Sequence, residues 1–76
     1  MEQYAMNNKE SLAYIRTEAK KLGLTLIVDK SCRINGATAY KFIERYNKYN
    51  VIVSTMTLGM ALNRVCSGEL ENWKEW

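Results

Sequence analysis

The chain has 76 residues, of which 47% are hydrophobic and 25% charged, and its formal net charge is +3. A chain of this size forms one domain, residues 1–76, and it is too apolar to remain disordered. It has no apolar run of the about 18–20 residues that span a membrane, and its first ten residues lack the pattern of a signal peptide. We therefore predict a cytoplasmic globular domain with no membrane partner.

The first predicted element is a helix over residues 8–22, preceded by a flexible N-terminal tail over residues 1–6. Asn7 fits the N-cap position, and Glu10 three residues later completes a capping box. Gly23 fits the end of the helix, because glycine adopts a positive φ without a steric penalty. Apolar residues recur at helical spacing on one face. They are Leu12, Ile15, Ala19 and Leu22.

Two strands joined by a tight turn follow in the chain. Residues 24–29, LTLIVD, have the composition and length of a strand. The dipeptide Asn35-Gly36 predicts a type I′ turn, because both residues tolerate a positive φ. A hairpin at this turn returns the chain along residues 39–46. The residues of the first strand predicted to face the core are Leu24, Leu26 and Val28.

Residues 39–46 fit a strand or a helix. As a strand, they place Tyr40, Phe42 and Tyr46 on the inner side and Lys41, Ile43 and Arg45 on the outer side. As a helix, Ala39, Phe42, Ile43, Tyr46 and Tyr49 share one face. The aromatic content of the segment and the turn dipeptide before it favour the strand.

A third strand and a second helix complete the predicted domain. The strand covers residues 51–56, after a turn at residues 47–50. The helix covers residues 57–67, with Thr57 as its N-cap and Gly68 at its end. Its apolar face comprises Leu58, Ala61, Leu62, Val65 and Cys66. Residues 69–76 form a tail or a short helix, in which we expect Trp73, rather than the terminal Trp76, to dock on the domain.

The preferred order α-β-β-β-α defines an α+β fold. It is a small two-layer sandwich, with a three-stranded antiparallel sheet and both helices on one face. The alternative order, α-β-α-β-α, would leave a thin sheet of two parallel strands. In the preferred fold, the residues predicted to be among the most buried are Leu26, Phe42, Leu62 and Val65.

No residue pattern predicts an enzyme, a cofactor or a metal site. Histidine, the commonest general acid–base, is absent. The two cysteines, Cys32 and Cys66, lack the paired spacing of a zinc site, and we expect no disulfide between them in a reducing compartment. A glycine-rich phosphate loop is also missing from the sequence.

The favoured function is a non-enzymatic protein-interaction or inhibitor module, with another protein or a second copy of the chain as partner. With Phe42 facing the helices, Ile27 and Ile43 lie on the open face of the sheet, flanked by Lys41 and Arg45. Contiguous apolar patches of this kind often mark interfaces. The candidate partner-binding residues are Ile27, Lys41, Ile43 and Arg45. Small domains of this kind are frequent among accessory proteins of bacteriophages and mobile elements. On this general ground we expect an accessory protein of that class, such as one that acts on a host protein.

The alternative function is nucleic-acid binding. The order of elements and the length are similar to those of the double-stranded RNA-binding domain. In that family the second helix opens with lysines aimed at phosphates, whereas the corresponding segment here, TLGMALNR, has one arginine. The segment YKFIERYNKY interleaves aromatic and basic residues, a pattern that fits stacking on single-stranded bases. Its candidate phosphate contacts are Lys41, Arg45 and Lys48.

Overall fold

The computed structural model describes residues 7–76 and has the order α-β-β-β-α. The predicted fold class is confirmed, and the alternative order is excluded. The predicted N-terminal tail, residues 1–6, lies outside the described residues. The elements are α1 (Asn8–Lys21), β1 (Leu24–Ile34), β2 (Ala37–Glu44), β3 (Asn47–Met56), α2 (Leu58–Ser67) and a C-terminal 3₁₀ helix (Glu69–Glu75).

Both α-helices begin at side-chain caps, as predicted. The Asn7 side chain accepts a hydrogen bond from the Glu10 N–H at 2.8 Å, and the Glu10 carboxylate accepts one from the Asn7 N–H at 3.2 Å. At the start of α2, the Thr57 hydroxyl accepts from the Met60 N–H at 3.2 Å. Gly68 then ends α2 with a φ of +79°, in the left-handed region that favours glycine.

The three strands form one antiparallel sheet in the order β1-β2-β3, so that β2 is central. The first hairpin turns at Asn35-Gly36, where φ is +52° and +81°, as a type I′ turn requires. The segment that fitted either a strand or a helix is therefore a strand. In the resulting register, Leu26 lies opposite Phe42, and both side chains enter the core.

The second hairpin turns earlier than the sequence predicted. Strand β2 ends at Glu44, the turn is Arg45–Tyr46, and residues 47–50 belong to β3. Tyr46, predicted to face the core, is 86% exposed. The physical reason is that a two-residue turn projects beyond the end of the sheet, so its side chains no longer follow the alternation of the strand.

Strand β3 is irregular where it leaves this turn. Ile43 pairs with Val51, whereas the next residue of β2, Glu44, pairs with Asn47. Residues 48–50 therefore have no partners of their own and bulge from the ladder. Bulges bend a strand and redirect its side chains. This one projects polar and aromatic side chains beside the turn.

The core lies between the sheet and the two α-helices. Its fully buried members are Ile15, Ala19, Leu24, Leu26, Phe42, Met56, Ala61 and Leu70. Leu26 and Phe42 are 1% and 0% exposed, as predicted. The prediction was wrong for Leu62 and Val65, which are only partly buried at the edge of the core. Helix α2 packs through the small side chain of Ala61, which leaves the longer side chains to flank the contact.

Two other residues predicted on inward faces are exposed. Val28 is 41% exposed. It lies next to the interval between Asp29 and Arg33, where the pairing of β1 with β2 shifts, and it does not belong to the core. Cys66 lies at the margin of the α2 face and is also exposed. Periodicity alone assigned both residues to the core, but both side chains are exposed.

Candidate interaction surfaces

The helices cover one face of the sheet and leave the other face open. Phe42 packs in the core beneath the helices, so its neighbours Lys41 and Ile43 point to the opposite face. Ile43 is in register with Val51 on β3, and Lys41 with Ile27 on β1. None of these last four residues belongs to the core cluster. We call Ile27, Lys41, Ile43 and Val51 the sheet-face patch.

Within the sheet-face patch, Ile43 is the least accessible residue. It is 5% exposed, so the prediction that it lies open to solvent was wrong. Because β2 is the central strand, Ile43 has Thr25 on one side and Val51 on the other, and these neighbours shield it. Val51 is 43% exposed, and Ile27 and Lys41 are half-buried. The solvent-accessible residues of the patch are thus Ile27, Lys41 and Val51, and Ile43 lies buried between them.

Arg45 does not lie on the open sheet face. It occupies the β2–β3 turn, where its backbone N–H donates to the carbonyl oxygen of Gly23 at 2.9 Å. Its guanidinium carbon lies 5.2 Å from the centre of the Tyr46 ring. Strand β2 ends at Glu44, so the alternation of side chains between the two faces of the sheet does not include Arg45. The structure therefore brings together three of the four predicted partner-binding residues.

The sheet-face patch includes one charged residue, Lys41, and Asp29 lies beside it on β1. The Asp29 carboxylate accepts hydrogen bonds from the Ser31 hydroxyl at 2.6 Å and from the Ser31 N–H at 3.1 Å. These hydrogen bonds, with a smaller contribution from the charge of Lys41, hold the pKa of Asp29 below its ordinary value. Asp29 is thus ionised at neutral pH, and one charge of each sign lies in or beside the patch.

A second surface projects from the β2–β3 turn. Tyr46 and Tyr49 are 86% and 85% exposed. The Arg45 guanidinium lies 5.2 Å from the Tyr46 ring centre, and the Lys48 ammonium 5.5 Å from that of Tyr49. Both distances fall within the range of cation–π contacts. We call Arg45, Tyr46, Lys48 and Tyr49 the aromatic–basic tip.

The sequence analysis included Arg45 and Lys48 in a candidate base-stacking segment, but it missed that Tyr46 and Tyr49 project from a turn, although the sequence carries a recognisable signal. Residues 45–50 read RYNKYN, two consecutive triplets of a basic residue, a tyrosine and an asparagine. The search for strand periodicity assigned the first tyrosine to the core and the second triplet to a turn. In this repeat, apolar and polar residues do not alternate as they do in a strand with one buried face. The repeat therefore predicts that both tyrosines are exposed.

Hydrogen bonds to the α1–β1 connection fix the tip beside the C-terminal 3₁₀ helix. The Arg45 N–H donates to the carbonyl of Gly23 at 2.9 Å, and the Trp73 indole N–H donates to the carbonyl of Leu22 at 2.7 Å. Two adjacent carbonyls thus hold the turn and the 3₁₀ helix at the same end of the molecule. As predicted, Trp73 docks, whereas Trp76 is 62% exposed.

A cleft of about 300 Å³ separates the β3 bulge from the 3₁₀ helix. It is lined by Asn50, Val51, Ile52, Trp73, Lys74 and Trp76. The Asn50 amide donates to the Glu44 carboxylate at 2.9 Å, which ties the bulge to the end of β2. The Lys74 ammonium lies 5.7 Å from the Trp73 ring centre. All cation–π contacts found within residues 7–76 therefore lie at this end of the molecule.

Other kinds of site are not evident in the described part of the chain. Within residues 7–76, no three His, Cys, Asp or Glu side chains are grouped so that they could hold a metal ion. Over that same stretch, no helix has the length and apolar character needed to cross a membrane. No protein-family model, curated protein or solved structure matches the chain. The features of the described chain that point to a function are the sheet-face patch and the aromatic–basic tip.

Proposed function

We propose that the protein is a non-enzymatic interaction module that presents the open face of its sheet to another protein chain. The observation that carries the proposal is the sheet-face patch, in which Ile27, Ile43 and Val51 lie together on the face opposite the core. An antiparallel sheet with one solvated face normally shows polar residues there. Aliphatic residues on that face instead support contact with a partner.

The depth of the patch determines how a partner would bind. Ile43 is already shielded, so a partner would remove mainly Ile27 and Val51 from water. Apolar contact contributes about 25 cal/mol per Å² buried. A standard interface takes about 800 Å² from each partner, about a seventh of the 5437 Å² surface of this protein. The partner would therefore have to contact residues around the patch as well as the patch itself.

The charges of Lys41 and Asp29 would orient the partner. Lys41 and Asp29 lie at neighbouring positions of the same face, one positive and one negative. Charges at a rim influence the association rate and the orientation more than the affinity. A partner with a complementary pair of charges is favoured. A second copy of the chain carries the same lysine and aspartate, and a two-fold interface pairs residue i of one copy with j of the other and j with i, so a homodimer is one partner that meets this requirement.

An inhibitor or accessory role suits a module of this kind, because covering a surface of another protein requires no chemistry. The chain has no histidine and thus lacks the side chain that most often exchanges protons near neutral pH. Its function would then depend on affinity and on which protein surface it covers.

Affinity capture with matched variants tests the proposal. The tagged wild-type protein and the variants Ile27→Arg and Lys41→Glu are incubated with nuclease-treated bacterial lysate, and the mass of each purified protein is measured at several concentrations. Tyr46→Ser, at the aromatic–basic tip, is the matched control. We expect wild type and Tyr46→Ser to retain the same protein, or to form the same dimer, and both sheet-face variants to lose it. Equal retention by all four proteins would contradict the proposal, provided that their unfolding curves show them folded.

A further inference from the structure

The geometry points to a second binding site: the aromatic–basic tip and the adjoining cleft bind single-stranded nucleic acid. This site lies at the β2–β3 turn, and its tyrosines and basic residues are not part of the sheet-face patch. Two tyrosine rings more than four-fifths exposed, each beside a cation, form a surface on which unpaired bases can stack. The inference goes beyond the proposed protein contact and does not depend on it.

The spacing of chemical groups at the tip matches what a single strand offers. A nucleic-acid strand alternates flat apolar bases with negatively charged phosphates. The tip alternates Arg45, Tyr46, Lys48 and Tyr49, so each ring has a cation next to it. Stacking on aromatic rings is tolerant of sequence, because every base has a π-face. Cations beside the rings supply the contacts to phosphates.

The surface continues from the tip into the cleft. Asn50 follows Tyr49 directly and lines the cleft together with Lys74 and Trp76. Trp76 is 62% exposed and adds a third accessible ring, and Lys74 adds a third cation. Acidic side chains also occur at this end; the Glu44 carboxylate accepts a hydrogen bond from the Asn50 amide at 2.9 Å, which fixes its position and leaves its charge unchanged. A strand that crosses the tip could therefore extend towards the 3₁₀ helix.

The site is built before any ligand binds. The backbone of Arg45 is hydrogen-bonded to Gly23, and that of Tyr49 to the Asn47 side chain at 3.2 Å. A preorganised loop loses less conformational freedom on binding and so retains more of its contact energy. These hydrogen bonds explain how a polar bulge presents its rings outward in a fixed arrangement.

The structure favours a single strand over a duplex. In a duplex the base faces are stacked inside the helix, and exposed tyrosine rings have nothing to stack on. Domains that recognise double-stranded RNA rely on basic residues at the start of a helix. Here the only basic residue of α2 is Arg64 in its last turn. The cations that accompany exposed rings lie instead at the tip.

Fluorescence anisotropy with labelled oligonucleotides tests the inference. The probes are oligothymidine and oligouridine of about 12 nucleotides, a length within the usual site sizes, and a hairpin duplex of equal length. We expect at least one single strand to bind with a micromolar dissociation constant at low salt, and the duplex to bind at least tenfold more weakly. Affinity should fall with added salt, because phosphate contacts release counterions.

Variants separate stacking from charge. Replacing both tip tyrosines by serine should weaken binding about five- to 150-fold for each stacked base lost, without changing the salt slope. Lys48→Gln should instead reduce the slope of log affinity against log salt by about 0.7. Tyr14→Ser, at a 40% exposed tyrosine on α1, is the control and should bind like wild type. Unfolding curves of all variants establish that they are folded.

Three results would overturn the inference. The first is no binding of either single strand at low salt by the folded wild-type protein. The second is equal affinity for the duplex, or for the single strand after both tip tyrosines have been replaced. The third is capture, from nuclease-treated lysate, of a protein that is lost when these tyrosines are replaced, because the tip would then be a protein contact.

Discussion

Thr55, near the end of β3, has a backbone conformation that is sterically unfavourable for its β-branched side chain. Its φ is +60°, whereas β-branched residues avoid the left-handed region. The left-handed conformation costs an L-residue about 1–2 kcal/mol. The next residue, Met56, is fully buried and pairs with Tyr40, so the surrounding contacts fix the chain in this conformation. Thr55 is therefore a position where a substitution can stabilise the fold.

We expect Thr55→Gly to raise the free energy of unfolding by up to about 1 kcal/mol, because glycine adopts a positive φ without strain. The greater conformational entropy of glycine in the unfolded chain offsets part of this gain. Ser54→Gly is the control, since a positive φ is confined to Thr55 among the non-glycine residues of β3. The control should lower the free energy of unfolding by about 0.5–1 kcal/mol. Urea denaturation measures both. A Thr55→Gly protein as unstable as the control would show that the strain is absent.

The ionisation of Asp29 makes the free energy of unfolding depend on pH in the acid range. Hydrogen bonds from Ser31 lower its pKa in the folded protein below the ordinary value of 3.8. A carboxyl group with a lowered folded pKa contributes stability that is fully present above its unfolded pKa and is lost as the pH falls through the folded value. We expect wild type to lose more stability than Asp29→Asn between neutral pH and the acid side of 3.8. In an NMR titration, Ser31→Ala should raise the pKa of Asp29, and an unchanged pKa would refute this role of Ser31.

At the scale of elements, the C-terminal 3₁₀ helix is attached to α2 by the ion pair of Arg64 with Glu69 at 2.9 Å, and to the end of α1 and the core by Trp73 and Leu70. The Trp73 indole N–H donates to the carbonyl of Leu22, and Leu70 is fully buried in the core. The carbonyl of Leu22 lies at the end of α1, where helix carbonyls lack intrahelical partners. The 3₁₀ helix therefore completes α1 as well as the core.

Trp73→Phe should lower the free energy of unfolding by about 1–3 kcal/mol, because it removes the donor and leaves a part-buried carbonyl without its partner. Trp76→Phe is the matched control. Its ring is 62% exposed, and we expect a change within about 0.5 kcal/mol. Denaturation by urea, followed by circular dichroism, compares the two variants. Equal effects at the two tryptophans would mean that the indole hydrogen bond contributes nothing.

The helices, strands and their caps could be predicted because each depends on local chemistry. Asn7 and Thr57 cap helices with their own side chains, and Asn35-Gly36 forms its turn through its own backbone preferences. The burial of Ile43 could not be predicted, since it depends on the side chains of two other strands. The bulge at residues 48–50 likewise depends on which residues of β3 pair with β2. Local sequence does not specify that choice.

The same distinction applies to the candidate sites. Ile27 and Lys41 were placed on the correct face because alternation along a strand is local. Arg45 was misplaced by the position of a turn, and its true neighbours are Tyr46 and Gly23. An error of two residues in the predicted end of β2 thus assigned Arg45 to the sheet face, whereas it lies at the aromatic–basic tip. Errors of this size alter functional predictions more than they alter the fold class.

At the scale of the whole molecule, the two surfaces are adjacent, because Val51 belongs to the sheet-face patch and also lines the cleft beside the aromatic–basic tip. The middle residues of β2 face either the core or the sheet-face patch, and its end leads into the aromatic–basic tip. A small domain has little stability to lose. We therefore expect Ile43→Glu to unfold the protein, because a carboxylate would replace a side chain that is 5% exposed. Lys41→Glu should leave it folded, and thermal denaturation distinguishes the two.

The most direct test of the proposed protein contact is a map of that contact on the wild-type chain. Isoleucine and valine methyl groups are labelled with ¹³C, and NMR spectra are recorded with and without the captured partner, or at increasing concentration if the protein dimerises. We expect the signals of Ile27, Ile43 and Val51 to shift, and those of Ile15 in the core and Ile34 at the far end of β1 to stay in place. Unchanged signals for Ile27 and Ile43, with shifts confined to other methyl groups, would contradict the proposal that the sheet face binds the partner.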